Sequence, residues 1–151
     1  MKMQEYLTDA IVLGQEQVGD LDVLLDFYTE NFGRLKAKAI SLKKPTSKLA
    51  GHLEPLTLSK IRLIEKNSFL VADALTISRF EQLRSSSRSF EEGLRLIDLF
   101  RKFVFEGERD LELWRWLKNS LATGNISYKS FQEVTGGLFA DEQVGRFSNA
   151  V

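Results

Sequence analysis

The first half of the chain alternates. From Leu21 to Thr29, Leu21, Val23, Leu25 and Phe27 fall on one face and Asp20, Asp22, Asp26 and Tyr28 on the other, with Leu24 the exception. That is the period of two expected of a half-buried strand. Arg34 to Ile40 alternates again, with Arg34, Lys36 and Lys38 on one face and Leu35, Ala37 and Ala39 on the other. The turn between the two contains Gly33. Tyr6 to Leu13, ending on Ile11-Val12-Leu13, predicts an earlier strand, and the region of Gly14 and Gly19 predicts a connection. Leu56–Ile64 and Phe69–Ile77 predict a fourth and a fifth strand. Between them Glu65-Lys-Asn-Ser68 reads as a tight hairpin turn, because Asn tolerates the backbone such turns need. Five short strands in about 75 residues indicate a small barrel, of the OB or the SH3-like type. The pattern alone does not choose between them.

The second half has helical periodicity. Ser85–Ser89 is a polar linker, and Ser89 with Glu92 three residues on has the form of a capping box. Phe90, Leu94, Ile97, Arg101 and Val104 trace an i, i+4, i+7 stripe, widened by Leu96, Leu99, Phe100 and Phe103 into a face that needs covering. After Gly107, Leu111–Leu121 predicts a second helix with Trp114, Leu117 and Leu121 on one side and Gly124 as its C-terminal cap. Ser127 to about Val134 predicts a third, ended by Gly136-Gly137, and the tail from Ala140 is weakly patterned. The fold class is α+β: a five-stranded barrel over 1–80, then a small helical domain over 81–151.

Composition bounds the chemistry. The 151 residues contain 43% apolar side chains, which supports a packed core, and no cysteine, which removes disulfides and thiolate metal sites. With one histidine, a zinc centre built from His and Cys is excluded. The N-terminus has no apolar run of signal-peptide type, and no stretch reaches the roughly 18 apolar residues that span a bilayer. A cytoplasmic protein with no membrane contact and no cofactor is expected.

Net charge is zero, but it is unevenly placed along the chain. Residues 1–33 hold one Lys/Arg against seven Asp/Glu, a net of −6. Residues 34–66 hold nine against two, a net of +7, and the remainder is near balance. Segregation of this size predicts one basic surface, whose local field matters more to a polyanion than the total. The candidate nucleic-acid site is therefore Arg34, Lys36 and Lys38 on one strand face, with Lys43, Lys44 and Lys48 on the loop that follows. Ser47 adds a phosphate donor, Pro45 stiffens the loop, and Lys60 and Arg62 on the fourth strand extend the patch. The plain alternative is a solubilising face.

Tyr28, Phe32 and Phe69 are candidates for base stacking, although aromatics at such spacing more often fill a core. Trp114 and Trp116 point to different sides of their helix, which puts one in the core. His52 reads as a hydrogen-bonded structural residue. Asp20, Asp22 and Asp26 spread over roughly 20 Å of strand at about 3.3 Å per residue, which suits solvent or a basic partner better than a metal. No P-loop, dinucleotide fingerprint or Ser/His/Asp arrangement is present, so no enzyme is expected.

Six segments in order carry a family resemblance. They are Thr8-Asp-Ala-Ile-Val-Leu13, Leu21–Thr29, Phe32-Gly33-Arg34, Ala37-Lys38-Ala39, Lys44-Pro45-x-Ser47-Lys48-Leu49 and His52-Leu53-Glu54-Pro55. Over roughly 5–80 the chain closely resembles the N-terminal domain of the RecO family of bacterial recombination mediators. Ala39 stands where the family pattern has glycine. The resemblance implies an OB-fold barrel with a helical domain after it. It also implies non-enzymatic binding of single- and double-stranded DNA, strand annealing, and recombinase loading with a RecR-like partner. Single-strand-binding protein is implied as a partner through a C-terminal region that lies beyond Val151 in the family pattern, so its capture is not expected of this sequence. The rival reading is a protein-interaction module, docking through Glu16, Asp20, Asp22, Asp26 and Glu30 and the apolar helix face.

Overall fold

The computed structural model describes residues 3–135, in which the first half forms strands β1 (Gln4–Val18), β2 (Asp22–Thr29), β3 (Gly33–Ala39), β4 (Leu58–Glu65) and β5 (Phe69–Ser78). They close into a barrel in the order β1-β2-β3-β5-β4, with β4 bonded back to β1. The β3–β5 pair is parallel and the other four pairs are antiparallel. This is the OB arrangement, so it resolves the choice that the strand pattern left open.

The first strand is longer than its sequence signal. It continues through Gly14 to Val18, pairing with β4 over Gln4–Ile11 and with β2 over Ala10–Val18. A register shift between Val12 and Gly14 marks a bulge. The glycine that reads as a chain break is a bend within a strand that serves two sides of the barrel. The β4–β5 link is the expected hairpin, with Asn67 at a φ of 135°.

Alternation builds the core. Val23, Leu25 and Phe27 on β2, Ala37 and Ala39 on β3, and Ile61 and Leu63 on β4 are all fully buried. Burying a Val, Leu, Ile or Phe side chain stabilises the fold by about 1.5–3 kcal/mol. Ala39 packs its methyl into this core, and the positive φ of the segment falls two residues later, at Ser41 (61°).

Gly33, at the β2–β3 turn, has a φ of 67° and faces the segment 106–109, which returns to this side of the barrel. The N–H of Gly107 donates to the Arg34 carbonyl at 3.2 Å. A Cβ on Gly33 would collide with the carbonyl oxygens of Gly107 and Glu108. The left-handed backbone alone disfavours alanine by about 1 kcal/mol, and the collision adds to it. Gly33→Ala is therefore expected to destabilise the barrel by roughly 2 kcal/mol in a urea melt.

The chain divides into two compact units. One holds residues up to Arg79 together with Glu106–Arg109, and the other Phe80–Phe105 and the chain from Asp110. The second unit contains α1 (Ser87–Phe103), α2 (Leu111–Thr123) and α3 (Tyr128–Val134). The cap of α1 is Ser86, whose Oγ accepts from the Ser89 N–H at 3.1 Å, so the helix starts inside the serine run rather than after it. Its buried stripe is Gly93, Leu96, Ile97, Leu99 and Phe100, while Leu94 and Arg101 are exposed. The expected stripe was thus rotated: glycine, invisible to a hydrophobicity count, lies on the buried side against Leu83.

Phe100 meets Phe131 at 5.4 Å and stacks on Trp116 at 6.3 Å between ring centroids, so α2 and α3 help cover this face. Trp114 is the buried tryptophan of the pair, and Trp116 is partly exposed. Burial pushes the Tyr128 phenol, which has no hydrogen-bond partner among the described residues, above its ordinary range; nearby Arg95 lowers it and Glu92 raises it. Asp110 and Ser127 cap α2 and α3, and Gly124 ends α2 at a φ of 73°. The expected stop at Gly136-Gly137 and the tail from Ala140 lie outside the described residues. Among the described residues no helix is long and apolar enough to cross a membrane.

Candidate nucleic-acid interface

The basic loop between β3 and the 3₁₀ turn at Ala50–His52 is built from two linked β-turns. The N–H of Lys44 donates to the Ser41 carbonyl at 3.1 Å, and the N–H of Ser47 to the Lys44 carbonyl at 3.0 Å. Pro45 occupies the second position of the latter turn, where its fixed φ is already correct. Ser47 is not turned toward a ligand: its Oγ accepts from the Leu49 N–H at 3.3 Å and finishes the turn.

The loop is fastened at both ends. Ser41 N–H donates to Asp22 Oδ1 at 2.7 Å, and Lys43 N–H to the Leu21 carbonyl at 3.0 Å. Leu42 is buried in the barrel core, and Leu49 packs against it. Lys43, Lys44 and Lys48 are left exposed on a braced backbone. None of the three is ion-paired among the described residues, nor is the exposed Lys36 of β3.

The strand-borne cations are arranged differently. Arg34 forms a bidentate pair with Asp26, Nε to Oδ1 at 3.0 Å and Nη2 to Oδ2 at 2.8 Å, with its side chain only 11% exposed. Its guanidinium is held by Asp26 at the barrel wall rather than offered to solvent. Lys38 lies 3.6 Å from Asp22, Lys60 3.1 Å from Asp9, and Arg62 3.1 Å from Glu5. Lys60 and Arg62 also fail to join the β3 lysines, because β5 separates β4 from β3 on one side and β1 with β2 on the other. The expected single basic surface is therefore corrected. The acidic first segment and the basic second segment are neighbours in the sheet, β1 beside β4 and β2 beside β3, so charge segregated along the chain is interleaved on the barrel.

Of the three aromatic candidates, Tyr28 is buried, and Phe32 and Phe69 are partly buried against the barrel core. Tyr28 is 1% exposed, although alternation put it on the polar face of β2. Phe32 and Phe69 meet Tyr6 edge to face at 5.2 and 6.2 Å. Burial raises the Tyr6 phenol above its ordinary range, and its 3.1 Å hydrogen bond to Glu65 adds to the shift. His52 has the structural role expected of it. Its Nδ1 accepts from the Thr76 N–H at 3.1 Å and lies 2.6 Å from Thr76 Oγ1, tying the 3₁₀ turn to β5. An Nδ1 that accepts leaves the ring proton on Nε2.

Sequence reasoning missed Asp22 and Leu42. Asp22 reads as one of three solvated carboxylates, yet it accepts from the loop backbone and pairs with Lys38. Leu42 is an isolated apolar residue in a polar loop, which is the signal of an anchor.

The chain matches the family described as "Recombination protein O N terminal" over residues 3–76, which spans all but the last residues of the barrel. It belongs to the RecO family. A DNA repair protein RecO from Thermodesulfovibrio yellowstonii is 31% identical over 118 residues, covering 77% of this chain and 47% of that protein. One from Pelotomaculum thermopropionicum is 31% identical over 113 residues, covering 74% and 44%. One from Heliobacterium modesticaldum is 34% identical over 98 residues, covering 64% and 36%. The chain thus spans about half the length, or less, of these RecO relatives.

Proposed function

We propose that this RecO-family chain serves DNA repair and homologous recombination as a non-enzymatic mediator. Its barrel binds single- and double-stranded DNA without sequence preference, through Lys43, Lys44 and Lys48 with Lys36 beside them. The observation that carries the reading is the braced loop: a backbone fixed by Leu42, Asp22 and Pro45 presents lysines that no carboxylate among the described residues neutralises. Fixed cations release condensed counterions from phosphate without an ordering cost at the loop. Phosphate contacts of this kind carry no sequence information.

Bringing two complementary strands together is largely a problem of screening their repulsion, so annealing needs no catalytic side chain. Among the described residues no three His, Asp or Glu side chains converge as metal ligands. The names of the relatives support the repair role, and the family resemblance supports a RecR-like partner in loading recombinase onto strands coated by single-strand-binding protein.

Fluorescence anisotropy with labelled single- and double-stranded oligonucleotides of several sequences tests the reading. Binding at low salt with similar affinity for every sequence supports it, and no binding at low salt refutes it. Lys60→Gln/Arg62→Gln is expected to change affinity less than about twofold, because both cations are already paired and stand apart from the loop. A loss of tenfold or more would return β4 to the site.

A further inference from the structure

The outer face of β1, β4 and β5 exposes two leucines that a lone barrel has no reason to expose. Leu7 is 63% exposed and Leu75 is 65% exposed. They border a shallow groove of about 150 Å³ that is also lined by Lys60, Arg62 and Asp73. The leucines flank the two cations rather than touching each other, so the case for a contact rests on how the charges of this face are placed.

The strand register fixes what sits beside what. Leu7 of β1 is opposite Arg62 of β4, which is opposite Asp73 of β5. The next outward row is Asp9, Lys60 and Leu75. One row therefore reads leucine, cation, carboxylate, and the other reads carboxylate, cation, leucine. With strands about 4.8 Å apart and outward residues about 6.6 Å apart along a strand, the six positions form a grid with Leu7 and Leu75 at opposite corners. Turning a copy over about the Leu7–Leu75 diagonal sets each leucine on its own equivalent. The same turn carries Arg62 toward Asp9 of the second copy and Lys60 toward its Asp73. For each cation the nearest opposed group is a carboxylate.

We infer that this face is a two-fold contact between two copies of the chain. An isologous interface must be complementary to itself, and this grid is. The face holds Glu5, Asp9 and Asp73 against Lys60 and Arg62, and this near-neutral mixture offers little to a polyanion or to a partner of one charge sign. The inference does not depend on DNA binding, because neither the braced loop nor Lys36 is part of the face.

Sedimentation velocity of the full chain without DNA, over a concentration series into the submillimolar range, tests it. A monomer–dimer equilibrium is expected. Three variants, each with unchanged circular dichroism, should lose the dimer: Leu7→Glu/Leu75→Glu, Lys60→Glu/Arg62→Glu and Asp9→Lys/Asp73→Lys. Mixing the last two should restore a dimer of one copy of each, since every opposed pair is again of unlike charge. Lys43→Glu/Lys44→Glu/Lys48→Glu should leave the equilibrium unchanged. A chain that stays monomeric throughout, or a dimer insensitive to Leu7→Glu/Leu75→Glu, would overturn the inference.

Discussion

Replacing Lys43, Lys44 and Lys48 together with glutamate is expected to lower affinity for single- and double-stranded oligonucleotides by roughly a hundredfold or more in 0.1 M salt. Each phosphate contact contributes close to a factor of ten at that ionic strength through counterion release. Three of the four lysines of the proposed site are removed, and three anions take their place. The fold should not suffer, because the loop is held by backbone hydrogen bonds, Leu42 and Pro45, none of which involves a lysine side chain. Unchanged circular dichroism and melting temperature, with lost anisotropy, is the expected pair of results. A fall in affinity below tenfold would move the site elsewhere on the chain.

The second large effect is on stability. Asp26→Ala is expected to destabilise the barrel by about 3–5 kcal/mol, because it leaves the Arg34 guanidinium almost buried without its carboxylate. Asp26→Leu/Arg34→Met, which removes both charges and keeps the volume, should recover most of the loss. Lys38→Gln, which breaks a pair with the lysine 44% exposed, should cost less than about 1 kcal/mol. Urea melts of the three variants check the order. If Asp26→Ala and Lys38→Gln cost the same, the Asp26–Arg34 pair is not the structural member it is described as.

The strands and helices were legible because their signal is local. Val23, Leu25 and Phe27 alternate because one side of β2 faces the core, and Gly124 ends α2 because a left-handed residue is needed there. What was not legible depends on partners far apart in the chain. Alternation assigns Asp26 and Tyr28 to a solvated face, but the outer side of β2 at these positions is covered, and both are buried. The run of nine basic residues from Arg34 to Lys66 suggests a single patch. Which cations stay free is decided by strand order, which sets β1 carboxylates beside β4 and β2 carboxylates beside β3. The loop lysines form no ion pair among the described residues, because Asp22, the carboxylate nearest the loop, is taken by the Ser41 N–H and by Lys38. Arg34, Lys38, Lys60 and Arg62 are paired because an acidic strand runs beside each.

The salt dependence of DNA binding tests this division most directly. For double-stranded DNA the logarithm of the association constant falls with the logarithm of salt at about 0.9 per phosphate neutralised. Four free lysines predict a slope near −3.6, while all eight cations of the sequence-level site predict about −7. A slope between about −3 and −4, flattened to about −1 or shallower in Lys43→Glu/Lys44→Glu/Lys48→Glu, is the predicted result. A slope near −7 would show that DNA strips Asp9, Asp22, Asp26 and Glu5 from their partners, which contradicts the account.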